Sequence, residues 1–112
     1  MIQMNAEIYR LDEQFDKKMR ELKKKEEYLE DNLSYVLHTT EQLKDEVYRI
    51  ANGELPVEAY TDIFQMDTNA ELFRKDVLEQ IDDISEERSK LRWDYEEQLD
   101  ALYKKRAKKQ ND

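Results

Sequence analysis

The most constraining feature of this chain is a line of seven apolar residues spaced seven apart. They are Ile8, Phe15, Leu22, Leu29, Val36, Leu43 and Ile50. A helix winding at about 3.5 residues per turn places such a line on one seam, and only a facing helix can keep that seam dry. The line therefore predicts a long helix whose apolar edge packs against a second helix.

Composition supports an all-helical chain. The 112 residues include one Gly, one Pro and 42% charged residues, which leaves few residues for turns, sheets or a thick core. We expect one domain, 1–112, with a first helix at about 4–51, a connector at 52–67 and a second helix at about 68–108. Because two helices alone bury little apolar surface per residue, we expect the chain to need a partner or a second copy.

The connector contains the strongest turn signals. Asn52-Gly53 suits a left-handed cap at the end of the first helix, and Pro56 blocks continuation of that helix. Apolar residues at near-helical spacing within 56–66 predict a short helix that caps the turn. Thr68-Asn69-Ala70-Glu71 matches a capping box for the second helix. The predicted fold is an antiparallel, coiled-coil-like two-helix hairpin with a short capping helix at its turn.

The second helix carries a matching apolar line. Its members are Ala70, Val77, Ile84, Leu91 and the polar Gln98, with Ile81, Tyr95 and Leu102 on the adjoining ridge. If the numbers of facing residues sum to about 120, Ile50 faces Ala70 and Leu43 faces Val77. The same register sets the basic stretch 17–25 beside the acidic residues of 94–100. Solvated ion pairs contribute little stability, so we expect these charges to select the register.

Several aromatic residues are candidates for partner binding. Trp93 lies opposite Leu91 and Tyr95 on the helix and so points away from the predicted seam. Large aromatic residues are favoured at the centres of protein interfaces. We predict a partner-binding surface formed by Trp93, Tyr35, Phe73, Tyr60 and Phe64. In the alternative interpretation, Trp93 is exposed without a role, and Tyr60, Ile63, Phe64 and Met66 pack onto the end of the hairpin itself.

Two polar residues fall on the predicted seam. Arg88 lies near Asn32 in the expected register, and together they are interpreted as a polar layer that fixes alignment. Arg88 could alternatively anchor a carboxylate of a partner.

Little in the sequence suggests catalysis. His38 is the sole histidine, there is no cysteine, and the paired carboxylates are typical of a solvated helix face. We therefore expect no enzymatic activity, no cofactor, no metal site and no small-molecule substrate. The net charge of −9 disfavours nonspecific binding to nucleic acid or anionic membranes. With no apolar run long enough for a signal peptide or a membrane span, we expect a cytoplasmic protein without membrane insertion.

A family resemblance rests on layout and on one stretch. The length, the two charged helices, the cap-like turn and the stretch 88–97, RSKLRWDYEE, resemble the small α-helical proteins encoded beside LXG toxins of type VII secretion systems. Those proteins have the hairpin shape of WXG100 proteins. The resemblance implies a protein that binds the helical N-terminal domain of an LXG toxin as a targeting factor or chaperone for its export.

The chain departs from the WXG100 pattern in two places. The turn has Ala51-Asn52-Gly53-Glu54 instead of a Trp-x-Gly motif, and Tyr103 is followed four residues later by Ala107 rather than by an acidic residue. These departures leave open whether the protein is exported with its partner or only escorts it.

Two other functions remain open from the sequence. The chain could be a structural coiled coil in which two hairpins form a four-helix bundle. It could also be an acidic phage-type inhibitor that occupies a nucleic-acid-binding groove, although its acidic residues are interleaved with basic blocks.

Overall fold

The fold consists of two long helices. The computed structural model describes the backbone of residues 2–111 and the side chains of residues 5–109. Helix α1 spans Ile2–Ile50 and helix α2 spans Val57–Asn111, and the described residues contain no strand. The two helices are in close contact, which confirms the predicted all-α helical hairpin.

The described chain divides into two compact units, each built from a segment of both helices. The first unit combines α1 up to Lys25 with α2 from Asp83 onward. The second unit is Glu26–Asp82 and contains the turn between the helices. The sequence-based assignment of 1–112 to a single domain stays a prediction.

The turn at the end of α1 is closed by a left-handed cap, as predicted. Asn52 and Gly53 have φ angles of 54° and 84°. The Gly53 amide donates to the Tyr48 carbonyl at 3.4 Å and the Asn52 amide donates to the Arg49 carbonyl at 3.2 Å. This pair of hydrogen bonds is the Schellman pattern, which satisfies carbonyls left free by the last turn of a helix.

The predicted start of the second helix is wrong, and no separate capping helix is present among the described residues. Helix α2 begins at Val57, directly after Pro56, and runs without a break through the predicted connector. Thr68 lies inside the helix, where its hydroxyl donates to the Phe64 carbonyl at 2.9 Å. Continuous helix buries Ile63 and half-buries Met66 on the side that α2 turns to α1, and this burial outweighs the local capping signal.

The shielded positions follow the period of an ordinary α-helix. On α2 they include Ala59, Ile63, Met66, Ala70, Phe73, Val77, Ile81, Ile84, Arg88, Leu91, Tyr95, Leu99 and Leu102. Their spacing of about 3.6 residues per turn differs from the 3.5 of a left-handed coiled coil. The heptad prediction therefore drifts off the seam: Gln98 is exposed, and Leu99 is shielded in its place.

The same drift affects α1. Leu22 is buried, but further along the predicted line Leu43 is 51% exposed and Ile50 is 73% exposed. A strict seven-residue line rotates by about 20° per heptad around an undistorted helix. The shielded positions beyond Val36 are instead Leu37, Thr39, Thr40, Lys44, Val47 and Ala51.

The predicted register is also wrong. In the first unit Tyr95 contacts Asp12 and Phe15, and in the second unit Lys44 contacts Asp67. Facing residue numbers therefore sum to about 110 in each unit instead of about 120. Because α2 starts at Val57, the point at which the chain folds back lies closer to Gly53 than the sequence predicted.

This register removes the predicted charge complementarity of the first unit. The basic stretch 17–25 is level with 85–93, which contains Arg88, Lys90 and Arg92 together with Glu86 and Glu87, rather than with the acidic residues of 94–100. Those acidic residues are level with Asp12, Glu13 and Asp16. Several like charges of the two helices thus lie at the same height of the unit, which favours repulsion over attraction.

Candidate partner-binding surface

The most unusual property of the surface is the imbalance between buried and exposed apolar residues. Four described hydrophobic residues are buried: Leu22, Ile63, Val77 and Ile84. Thirteen described large apolar or aromatic residues are exposed, spread over both helices. Isolated exposed apolar residues are normal, but so many beside so small a core indicate surface available to another protein.

Trp93 belongs to the first unit and is 60% exposed. It lies on the side of α2 away from the half-buried Leu91 and Tyr95, as its position on the helix predicted. No described contact gives it a structural role, so binding by Trp93 stays a prediction.

The other four predicted partner-binding residues belong to the second unit. Tyr60 and Phe64 are exposed on α2, and Tyr35 is exposed on α1. Of the four residues in the alternative interpretation, Ile63 is buried and Met66 is half-buried, whereas Tyr60 and Phe64 are exposed. Phe73 is half-buried at the contact between the helices.

Phe73 lines an apolar groove between the helices of the second unit. The groove has a volume of about 350 Å³. Helix α1 contributes Val36, Thr40 and Leu43, and helix α2 contributes Met66, Asn69, Ala70 and Phe73. Sequence reasoning missed this groove because it assigned Val36 and Leu43 to a closed seam, and the drift of the heptad line was the signal that could have revealed it.

The two polar side chains in the apolar groove are engaged within their own helices. The Thr40 hydroxyl donates to the Val36 carbonyl at 2.8 Å. The Gln65 amide donates to the Asn69 side-chain oxygen at 2.9 Å. Because the other five lining side chains are apolar, the surface offered to a ligand is mainly apolar.

A second groove lies in the first unit and has a different character. Its volume is about 390 Å³, and its walls include Glu7, Arg10 and Lys105 beside Leu11 and Leu102. Charged groups from both helices surround its apolar floor, so an apolar helix would have to desolvate them.

An aromatic and polar cluster joins the helices of the first unit. The Phe15 and Tyr95 rings stack with centroids 4.3 Å apart, and the Tyr95 hydroxyl donates to Asp12 Oδ1 at 2.5 Å. This hydrogen bond, followed by burial and by the negative charges of Asp12 and Asp16, raises the pKa of Tyr95 to about 12. The cluster links the two helices of the first unit.

The second unit has an ionic link of its own between the helices. Lys44 Nζ lies 2.9 Å from Asp67 Oδ1 and 3.3 Å from Glu41 Oε1. The hydrogen bonds to Asp67 and then to Glu41 raise the pKa of Lys44 above its usual value. This contact helps fix the register near the turn.

The predicted polar layer is distributed over the two units. Asn32 is half-buried in the second unit and Arg88 is half-buried in the first. Their pairing followed from a sum of 120, which the contacts inside each unit do not support. The role of each residue stays a prediction.

The described side chains form no cluster of three or more acidic, histidine or cysteine residues suited to a metal ion. Within the part of the chain that is described, neither helix has a segment long and apolar enough to cross a membrane.

Comparison with models of protein families, with curated proteins and with solved structures finds no match.

Proposed function

We propose that this chain is a non-enzymatic binding protein that packs its exposed helical surface against the helices of another protein. The observation that carries the proposal is the imbalance between four buried hydrophobic residues and thirteen exposed large apolar or aromatic ones. Covering such residues releases ordered water and lowers the free energy of both partners. A partner helix with an apolar stripe would be kept soluble in the same way.

The proposed partner is the helical N-terminal domain of an LXG toxin, which this chain would serve as a targeting factor or chaperone. Support comes from the resemblance in length, helical layout and the stretch 88–97. The combined helices would present a surface that neither chain has alone, and an export apparatus could recognise that surface.

The test is co-expression with the helical N-terminal domain of an LXG toxin, followed by light scattering on the purified material. We expect a complex whose mass contains both chains. Trp93 is the only tryptophan, so its fluorescence should shift to shorter wavelength if the partner covers it.

Two results would contradict the proposal. One is a stable, well-folded monomer that captures nothing. The other is a tight symmetric dimer indifferent to the toxin, which would favour a structural four-helix bundle.

A further inference from the structure

The apolar groove continues into exposed apolar residues on both of its sides. On α1, Leu43 is followed by Ile50, which helical spacing places on the same side of the helix. On α2, the exposed Leu72 lies three residues after Asn69, which lines the edge of the groove. The surface available to a ligand is thus an elongated apolar strip between two parallel walls, which suits a third helix.

Carboxylates border this strip. Glu46 lies between Leu43 and Ile50 on the same side of α1, and Asp62 and Asp76 each lie seven residues from Asn69 on the same side of α2. All three carboxylates are exposed. We call Glu46, Asp62 and Asp76 the acidic rim.

The second unit as a whole is strongly acidic, as the residues bordering the strip are. Residues 26–82 contain four basic and fifteen acidic residues, a net charge of −11, whereas the full chain carries −9. Three of the four cations, Lys44, Arg49 and Arg74, already pair with carboxylates of the same unit. Arg49 pairs with Glu46 of the acidic rim, whereas the described ion pairs of Lys44 and Arg74 involve carboxylates outside the rim. Asp62 and Asp76 therefore lie in a strongly negative field and have no ion pair among the described contacts of the unit.

We propose that the apolar groove docks a basic amphipathic helix of another protein, with apolar residues in the groove and Lys or Arg beside the acidic rim. The inference rests on the proposed function, because it assumes a helical partner, and it adds the binding site and the charge of that partner. An acidic helix with the same apolar face would be repelled, so charge selects the partner while apolar burial holds it.

The first test uses the full chain and two synthetic eighteen-residue helical peptides. Both carry Leu and Ala on one face, and the edges of that face carry Lys in one peptide and Glu in the other. Fluorescence anisotropy should show that the Lys peptide binds more tightly by about tenfold or more. Equal affinity, or no binding of the Lys peptide, would overturn the inference.

A matched pair of variants locates the site. Leu43→Lys places a cation in the groove and should weaken binding of the Lys peptide by about tenfold. Tyr28→Lys makes the same charge change at an exposed position of α1 outside the groove, and we expect at most about a twofold effect. Equal losses in the two variants would mean that net charge alone attracts the peptide. Circular dichroism should show that both variants keep the helical content of the parent.

A second pair of variants tests the acidic rim. Asp62→Asn combined with Asp76→Asn should weaken binding by about threefold to tenfold and reduce its dependence on salt. Glu30→Gln combined with Glu54→Gln removes the same charge away from the rim, so the affinity should change less. If the control pair has the larger effect, the rim does not select the partner.

The co-expressed toxin complex separates this inference from the proposed function. Leu43→Lys should dissociate the complex if the groove is the docking site. An intact complex with this variant would refute the groove and leave the proposed function standing, whereas failure of the parent chain to bind the toxin removes both. A dimer of the parent that Leu43→Lys converts to monomer would show that a second copy occupies the groove.

Discussion

At the scale of single residues, Tyr95 shows best how the first unit is held together. Its ring stacks on Phe15, and its hydroxyl reaches the carboxylate of Asp12. The sequence correctly placed Tyr95 beside the seam, since helical spacing alone determines that. Its partners could not be predicted in the same way, because they depend on a register that is set by the turn.

Replacing Tyr95 with Phe should keep the ring stack and remove the hydrogen bond to Asp12. We expect the free energy of unfolding to fall by about 1 kcal/mol, because the half-buried Asp12 loses its hydroxyl partner. Urea denaturation followed by circular dichroism measures the change. Tyr9→Phe is the control, since Tyr9 is exposed, and a loss there as large as that of Tyr95→Phe would rule out a special role for the hydrogen bond.

The raised pKa of Tyr95 predicts a loss of stability in alkali. Folding raises this pKa from 10.0 to about 12, so the contribution is complete below pH 10 and is lost as the pH rises through about 12. The Tyr95→Phe variant lacks this titration. The difference in unfolding free energy between parent and variant should therefore shrink between pH 9 and pH 12. A difference that stays constant across this range would contradict the prediction.

At the scale of the helices, two local signals give plausible starts for α2, and long-range packing decides between them. Pro56 can occupy the beginning of a helix because it has no amide hydrogen to leave unpaired, and residues 68–71 match a capping box. Starting at Val57 brings Ile63 and Met66 into contact with α1. That gain depends on the partner helix and is invisible in a local motif.

Thr68→Ala distinguishes the two possible starts of α2. A Thr at a helix N-cap would cost about 1 kcal/mol on replacement with Ala. Inside the helix, where its hydroxyl bonds to the Phe64 carbonyl, the same change should be neutral or stabilising by up to about 0.5 kcal/mol. Thermal unfolding measures the effect, and a clear loss of stability would support the capping box.

Only part of the candidate surface could be predicted from the sequence, because some of it depends on how the two helices pair. Outward positions such as Trp93, Tyr60 and Phe64 follow from helical geometry on one chain segment. The apolar groove requires knowledge of which residues face each other, and Leu43 was assigned to the core because a seven-residue line was treated as fixed on one side.

At the scale of the whole molecule, charge opposes folding. The chain has a net charge of −9, the second unit alone has −11, and in the first unit like-charged stretches lie level with each other. Most described ion pairs join residues three or four apart on one helix, as between Arg49 and Glu46, and such pairs do little to hold two helices together.

Added salt should therefore stabilise the protein. Screening within a Debye length of about 10 Å at 0.1 M weakens the repulsion, and we expect the unfolding free energy to rise by about 1 kcal/mol between 0.01 and 0.5 M NaCl. Thermal unfolding at several NaCl concentrations measures the rise. Sorbitol at equal osmolality is the control for effects unrelated to charge. A loss of stability with salt would indicate that attractive pairs dominate, as the register summing to 120 implied.

The ordinary helical period of the shielded positions has a consequence for length. Ala59, Val77 and Tyr95 on α2 stand eighteen residues apart, as do Ile8, Glu26 and Lys44 on α1. Eighteen residues make about five whole turns, so removing or inserting that block in both helices returns each flanking residue to its original orientation. Relatives of this protein could thus have helices shorter or longer by eighteen residues while the remaining residues of the two helices still face each other.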